Sequence, residues 1–247
     1  MNSYKLMNHI MLRMMKITAP IFCALFVIET ILFYNTSTNL DFYYYRFEQA
    51  LAKSGLGVMF WIAFFGILGV MTFILLSYYW GGKSIYTILS LPVKPSGMVL
   101  SFLVPCIINI FILFALQLTV IILFGLWLPA FFGEWMTVCD YMHNYILLGV
   151  IRYTPTSFLF PLSGIQLIKL LLLTITPPIV LLYSFFSIMA RRYYFFVIVG
   201  LWLLFMQDAI SESVGFAHMV VKLILCILLT GFLLWSTIRS VKERKIG

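Results

Sequence analysis

The chain has 247 residues, of which 63% are hydrophobic, 18% aromatic and only 10% charged, with a formal net charge of +8. A soluble domain with that composition has too little polar surface to cover one core, so water is excluded as its main solvent. The apolar residues form long runs without the two-residue alternation of a barrel strand, so the expected fold is all-α and polytopic.

At the N-terminus, Lys5, His9, Arg13 and Lys16 recur at helical spacing opposite Leu6, Met7, Ile10, Met11 and Met14. That pattern predicts an N-terminal interfacial amphipathic helix over 1–16, lying flat on the cytoplasmic leaflet. The next apolar run is too long for a signal-peptide core, contains Glu29 and lacks a small-x-small cleavage site.

Six transmembrane helices are expected, near Ile17–Tyr34, Leu56–Tyr79, Met98–Leu126, Gln166–Ala190, Tyr193–Met206 and Ala217–Ile238. Each is measured against the roughly 20 apolar residues that a hydrocarbon core demands. Basic residues set the orientation. Lys5, Arg13 and Lys16, then Lys83 and Lys94, then Arg191 and Arg192, then Arg239, Lys242, Arg244 and Lys245 fall on one side. Asp41, Glu48, Glu134, Asp140, Asp208 and Glu212 fall on the other. Both termini are therefore expected in the cytoplasm, and the net charge reflects topology rather than nucleic-acid binding.

Residues 127–165 are apolar enough to resemble a seventh span. Their best run, Tyr145–Ile151, stops at Arg152, with Pro155 and Pro161 beyond. The stretch reads as an extracytoplasmic interfacial segment, whose Trp127, Phe131, Phe132, Trp135, Tyr141, Tyr145 and Tyr153 suit headgroup depth.

Within the spans, Glu29 is the foremost candidate for function, since a carboxylate at the bilayer centre costs on the order of 3 kcal/mol. It sits close enough to the expected outer end of its span to reach the interface or pair with another helix. Lys169 and Lys222 near span ends read as snorkelling side chains. Pro177-Pro178 interrupts the fourth span, removing two backbone donors. Thr174 and Thr176 are the hydroxyls at hand for the carbonyls freed near Leu173 and Thr174. Glu29, Thr174, Pro177 and Pro178 are thus the candidates for a translocation path, with static pairing and bending as the structural alternative.

Other chemistry is poorly represented. Cys23, Cys106 and Cys226 fall inside spans and Cys139 stands alone outside, so neither disulfide nor metal spacing is present. Gly81-Gly82-Lys83-Ser84 looks like the end of a phosphate loop, but Ser77 occupies the first glycine position and a membrane helix precedes it. Convergent polar groups of the kind an intramembrane enzyme needs are missing, and no bound cofactor is expected.

The most specific segment is the inner loop over 80–97, WGGKSIYTILSLPVKPSG. Ile85, Ile88 and Leu89 give a short helix one apolar face, stopped by Pro92 and Pro95. An apolar face at the cytoplasmic edge requires lipid or a partner protein to cover it. Through Lys83, Ser84, Ile85, Tyr86, Ile88, Leu89, Leu91, Pro92, Val93 and Lys94 this segment resembles the coupling helix of type-2 ABC exporter permeases. The basic ending RSVKERK, Arg239–Lys245, is similar to the family's usual tail. One departure is Ser101-Phe102, where many members carry a lysine soon after the third span begins.

The resemblance implies a single transmembrane domain over 1–247 that is itself no enzyme. A separate cytosolic ABC ATPase subunit would hold ATP and Mg. A second permease copy or related permease would complete a dimer in a plasma membrane, expected to be bacterial. The implied function is ATP-driven export of a hydrophobic or amphipathic cargo, such as a membrane-active peptide or a drug. Two alternatives are a substrate-binding membrane subunit of another transporter class and a membrane peptide-immunity or sensor protein.

Overall fold

A computed structural model describes residues 3–37, 53–80, 92–131, 164–189 and 216–246. The described residues form five helices: α1 (Ser3–Ser37), α2 (Leu56–Trp80), α3 (Pro95–Phe131), α4 (Gly164–Met189) and α5 (Phe216–Ile246). Each contains a stretch long and apolar enough to cross a membrane. Five of the expected spans coincide with these helices. The remaining one, 193–206, lies outside the described residues.

One expectation is corrected. Residues 1–16 and the first span are not separate elements, because α1 is one helix of 35 residues that continues through Pro20. At 1.5 Å per residue it is about 52 Å long, well beyond a hydrocarbon core of roughly 30 Å. Its N-terminal apolar face is also not left for lipid: Leu6, Ile10 and Met14 are each at most 2% exposed, covered by the protein itself. At the outer segment over 127–165, α3 runs on to Phe131 and α4 starts at Gly164, while residues 132–163 lie outside the described residues.

Helix starts reflect local chemistry. Gly55 has φ +75°, a backbone conformation that a side chain strains, and its carbonyl accepts from the amides of Val58 and Met59 at 3.0 and 3.1 Å. It thereby caps α2. Pro95 takes the first position of α3, where its missing N–H costs nothing, and Met98 N donates to Lys94 O at 3.0 Å.

Hydroxyls inside the helices are satisfied locally. Thr30, Thr72, Thr119 and Ser184 donate to the carbonyls of Phe26, Leu68, Ala115 and Val180 at 2.7–2.9 Å, each one turn back. In lipid this is the cheapest way to carry a hydroxyl on a helix.

The chain divides into two compact units. The first comprises Met1–Ile17, Ile67–Asn109 and Ile168–Gly247. In it Ser101 Oγ, 2.7 Å from Gly97 O, also lies 3.1 Å from Ser3 O. Farther along, Asn109 Nδ2 donates to Pro105 O at 2.8 Å and lies 4.0 Å from Met11 Sδ. Both contacts advance together, so α1 and α3 run parallel here. The Arg13 guanidinium sits 4.9 Å from the centre of the Tyr78 ring, and Tyr78 meets Phe102 edge-on at 6.0 Å. α5 contributes a narrow buried seam of Leu223, Cys226, Thr230, Leu233, Thr237 and Val241, spaced by three or four residues.

The second unit comprises Thr18–Gly66 and Ile110–Leu167. Phe33 of α1 stacks on Phe124 of α3 at 4.1 Å with the rings 5° from parallel. Phe60 of α2 packs 5.8 Å from Phe114 of α3. Its core is mostly aromatic and aliphatic, and among the described residues Thr18, Glu29, Ser54 and Gln117 are its buried polar side chains.

Candidate functional site

Glu29 lies on the buried stripe of α1, one turn from Leu25 and one from Phe33, and is 0% exposed. α1 continues to Ser37, so the carboxyl is about 12 Å from the helix end at 1.5 Å per residue. Protein, not the molecular surface, surrounds it. The side chain it faces is Gln117 of α3, also 0% exposed. The two lie near one another, yet neither Glu29 Oε1 and Oε2 nor Gln117 Nε2 and Oε1 meets hydrogen-bond geometry with any atom of the described residues. Phe114 packs on Phe60 just before Gln117, and Phe124 stacks on Phe33 beyond it.

A buried donor or acceptor without a partner costs about 1–3 kcal/mol, and a charged one more. Such groups inside a membrane protein mark functional positions by default. The pattern of the sequence singles out Glu29 and misses Gln117. The available signal is that Gln117 and Asn109 are amides within the otherwise apolar run of the third span.

The second candidate region belongs to the first unit. α4 is continuous across Pro177 and Pro178, which are both buried. The threonines do not serve the carbonyls that the prolines free. Thr174 Oγ1 donates back to Leu170 O at 2.8 Å, while Thr176 Oγ1 lies 3.3 Å from Thr230 Oγ1 of α5. Thr230 spends its only hydroxyl hydrogen on Cys226 O at 2.7 Å, which makes Thr176 the donor between helices. The proline region is therefore tied to α5 through a buried hydroxyl pair. Glu29 belongs to the second unit, and Thr174, Pro177 and Pro178 belong to the first.

Of the loop over 80–97, residues 81–91 lie outside those described, including Lys83, Ser84, Ile85, Tyr86, Ile88, Leu89 and Leu91. Its C-terminal end is defined. Pro92 and Lys94 are exposed, whereas Val93 is 8% exposed. At Gly97 an added Cβ would lie 3.3 Å from Ser3 Cβ and 3.4 Å from Val93 Cγ1. Val93, the first turn of α3 and the first turn of α1 thus form one packed junction.

Among the described residues, no three His, Cys, Asp or Glu side chains come together in a metal-binding group. Cys23, Cys106 and Cys226 are free thiols.

These features define a multi-pass helical membrane protein with polar groups buried between its helices. Compared with known proteins, the chain matches no family model, no curated protein and no solved structure.

Proposed function

We propose that this chain is the permease subunit of an ATP-driven exporter, working with a separate cytosolic ATPase and a second permease. The observation that carries the reading is the junction of Val93, Gly97 and Ser3 at the end of the coupling-like loop. A force applied to 83–94 by an external motor enters α3 at Pro95 and reaches α1 through the tight contact at Gly97. Interiors packed this closely transmit strain rather than absorb it. The parallel contacts of Ser3 with Ser101 and Met11 with Asn109 extend the same coupling along both helices.

In this mechanism the chain hydrolyses nothing. ATP binding closes the ATPase pair, the loops move with it, and the two permeases alternate between arrangements that favour cargo uptake and release. The buried Thr176–Thr230 contact beside Pro177-Pro178 is a place where α4 and α5 shift against each other during that alternation. The path is apolar and aromatic, in keeping with a hydrophobic or amphipathic cargo.

The test is affinity purification of the tagged chain from its native membrane. The expected companion carries a Gly-x-x-x-x-Gly-Lys-Ser/Thr phosphate loop and hydrolyses ATP faster when bound to this chain. Isolation of the chain without any ATP-hydrolysing protein, under conditions that keep membrane complexes intact, rejects the reading.

A further inference from the structure

We infer that Glu29 and Gln117 form the recognition point for a primary ammonium group on an amphipathic cargo. The two side chains bring three acceptor oxygens and one amide nitrogen into an apolar part of the second unit, and among the described residues none of these atoms meets hydrogen-bond geometry with another. A primary ammonium offers three N–H donors and one positive charge, matching three acceptors of which two belong to a carboxyl group. Charge-assisted hydrogen bonds of this kind are the strong ones, and apolar surroundings strengthen them further. A neutral hydroxyl satisfies at most part of the set, and a quaternary ammonium supplies charge without a donor.

The surroundings suit the remainder of such a molecule. Phe33, one turn from Glu29 on α1, stacks on Phe124, and Phe114, one turn from Gln117 on α3, packs on Phe60, so both helices carry aromatic surface near the pair for an alkyl or aromatic tail. The outward face of α1 over the same turns, Phe26, Val27, Ile28 and Ile31, is exposed and apolar. An amphiphile dissolved in the bilayer therefore reaches the pair when α1 parts from α3, without crossing water. Binding of the amine stands independently of the exporter reading; only its later release across the membrane rests on that reading.

The experiment uses the full-length chain in nanodiscs of a neutral phospholipid, with radiolabelled dodecylamine as probe. Saturable binding is expected, with dodecyltrimethylammonium competing about tenfold less well and dodecanol hardly at all. Glu29→Gln is expected to weaken dodecylamine about tenfold, and Gln117→Leu by a smaller factor. Phe73→Ala, on the exposed face of α2 in the other unit, leaves binding unchanged. Should Glu29→Gln not purify as a folded protein, Gln117→Leu decides the matter alone. Equal competition by all three amphiphiles, unchanged binding in the substituted proteins, or displacement of the amine by high potassium chloride overturns the inference. Amine binding without any associated ATPase sinks the exporter reading and leaves this site standing; an associated ATPase without amine binding does the reverse.

Discussion

Ser3 and Gly97 hold the first turns of α1 and α3 against each other so closely that a methyl group on Gly97 would come 3.3 Å from Ser3 Cβ. Contacts tighter than ordinary van der Waals spacing are relieved only by moving one helix. Gly97→Ala is expected to destabilise the chain slightly, and Gly97→Leu by about 1–3 kcal/mol, the usual range for overpacking. Pairing Gly97→Ala with Ser3→Gly restores most of the loss, because the clashing Cβ is gone. Thermal unfolding of the three proteins in one detergent measures this. Equal stability of wild type and Gly97→Leu contradicts it.

The Thr176–Thr230 hydrogen bond is buried and crosses from α4 to α5. Interhelical bonds of this type in membrane proteins are worth about 0.6 kcal/mol on average, because the separated helices find other partners. A double-mutant cycle of Thr176→Val and Thr230→Val should give a coupling energy of about that size. Strict additivity of the two substitutions shows that the hydroxyls do not interact. Thr230→Val alone is also expected to be tolerated, since its own bond to Cys226 O lies within α5.

Arg13 sits over Tyr78, whose ring is 6% exposed. Stacking of a guanidinium on an aromatic face contributes about 0.5–2 kcal/mol, depending on desolvation. Arg13→Ala and Tyr78→Leu should each destabilise the chain, and less than additively in combination. Arg13→Lys recovers only part of the loss, because an ammonium cannot stack as a plane. Full recovery by lysine would reduce the contact to a simple charge effect.

The charge pattern predicts a sidedness that labelling can read. On a background without native cysteines, Ser240→Cys should react with an impermeant thiol reagent only in inside-out vesicles. Ser211→Cys should react only from the opposite side. Labelling of both positions from one side contradicts the orientation read from the basic residues.

Legibility of the residues divides along physical lines. Helix positions are legible because length and apolarity alone specify a membrane helix, and α2, α3, α4 and α5 begin within three residues of the expected spans. The continuity of α1 is not, because charged residues at helical spacing describe a face and not what covers it. Lys5, His9 and Lys16 are indeed exposed, but Leu6, Ile10 and Met14 pack against protein where lipid is the expectation. Glu29 is legible as an anomaly in an apolar run. Its companion Gln117 is not, since the two are far apart in sequence and no local rule pairs α1 with α3. The threonines around Pro177 read as serving nearby carbonyls, a local solution. Contact with α5 gives Thr176 a longer-range one.

In the proposed exporter, residues 83–94 grip a separate ATP-hydrolysing protein. A photoreactive side chain placed at Leu89 in the full-length chain, irradiated in native membranes, tests that contact directly. The expected product is a covalent adduct to a protein bearing the phosphate-binding loop of an ABC ATPase, and it disappears when Pro92→Ala is combined with the probe. Adducts to lipid or to the chain's own helices alone would contradict the exporter assignment.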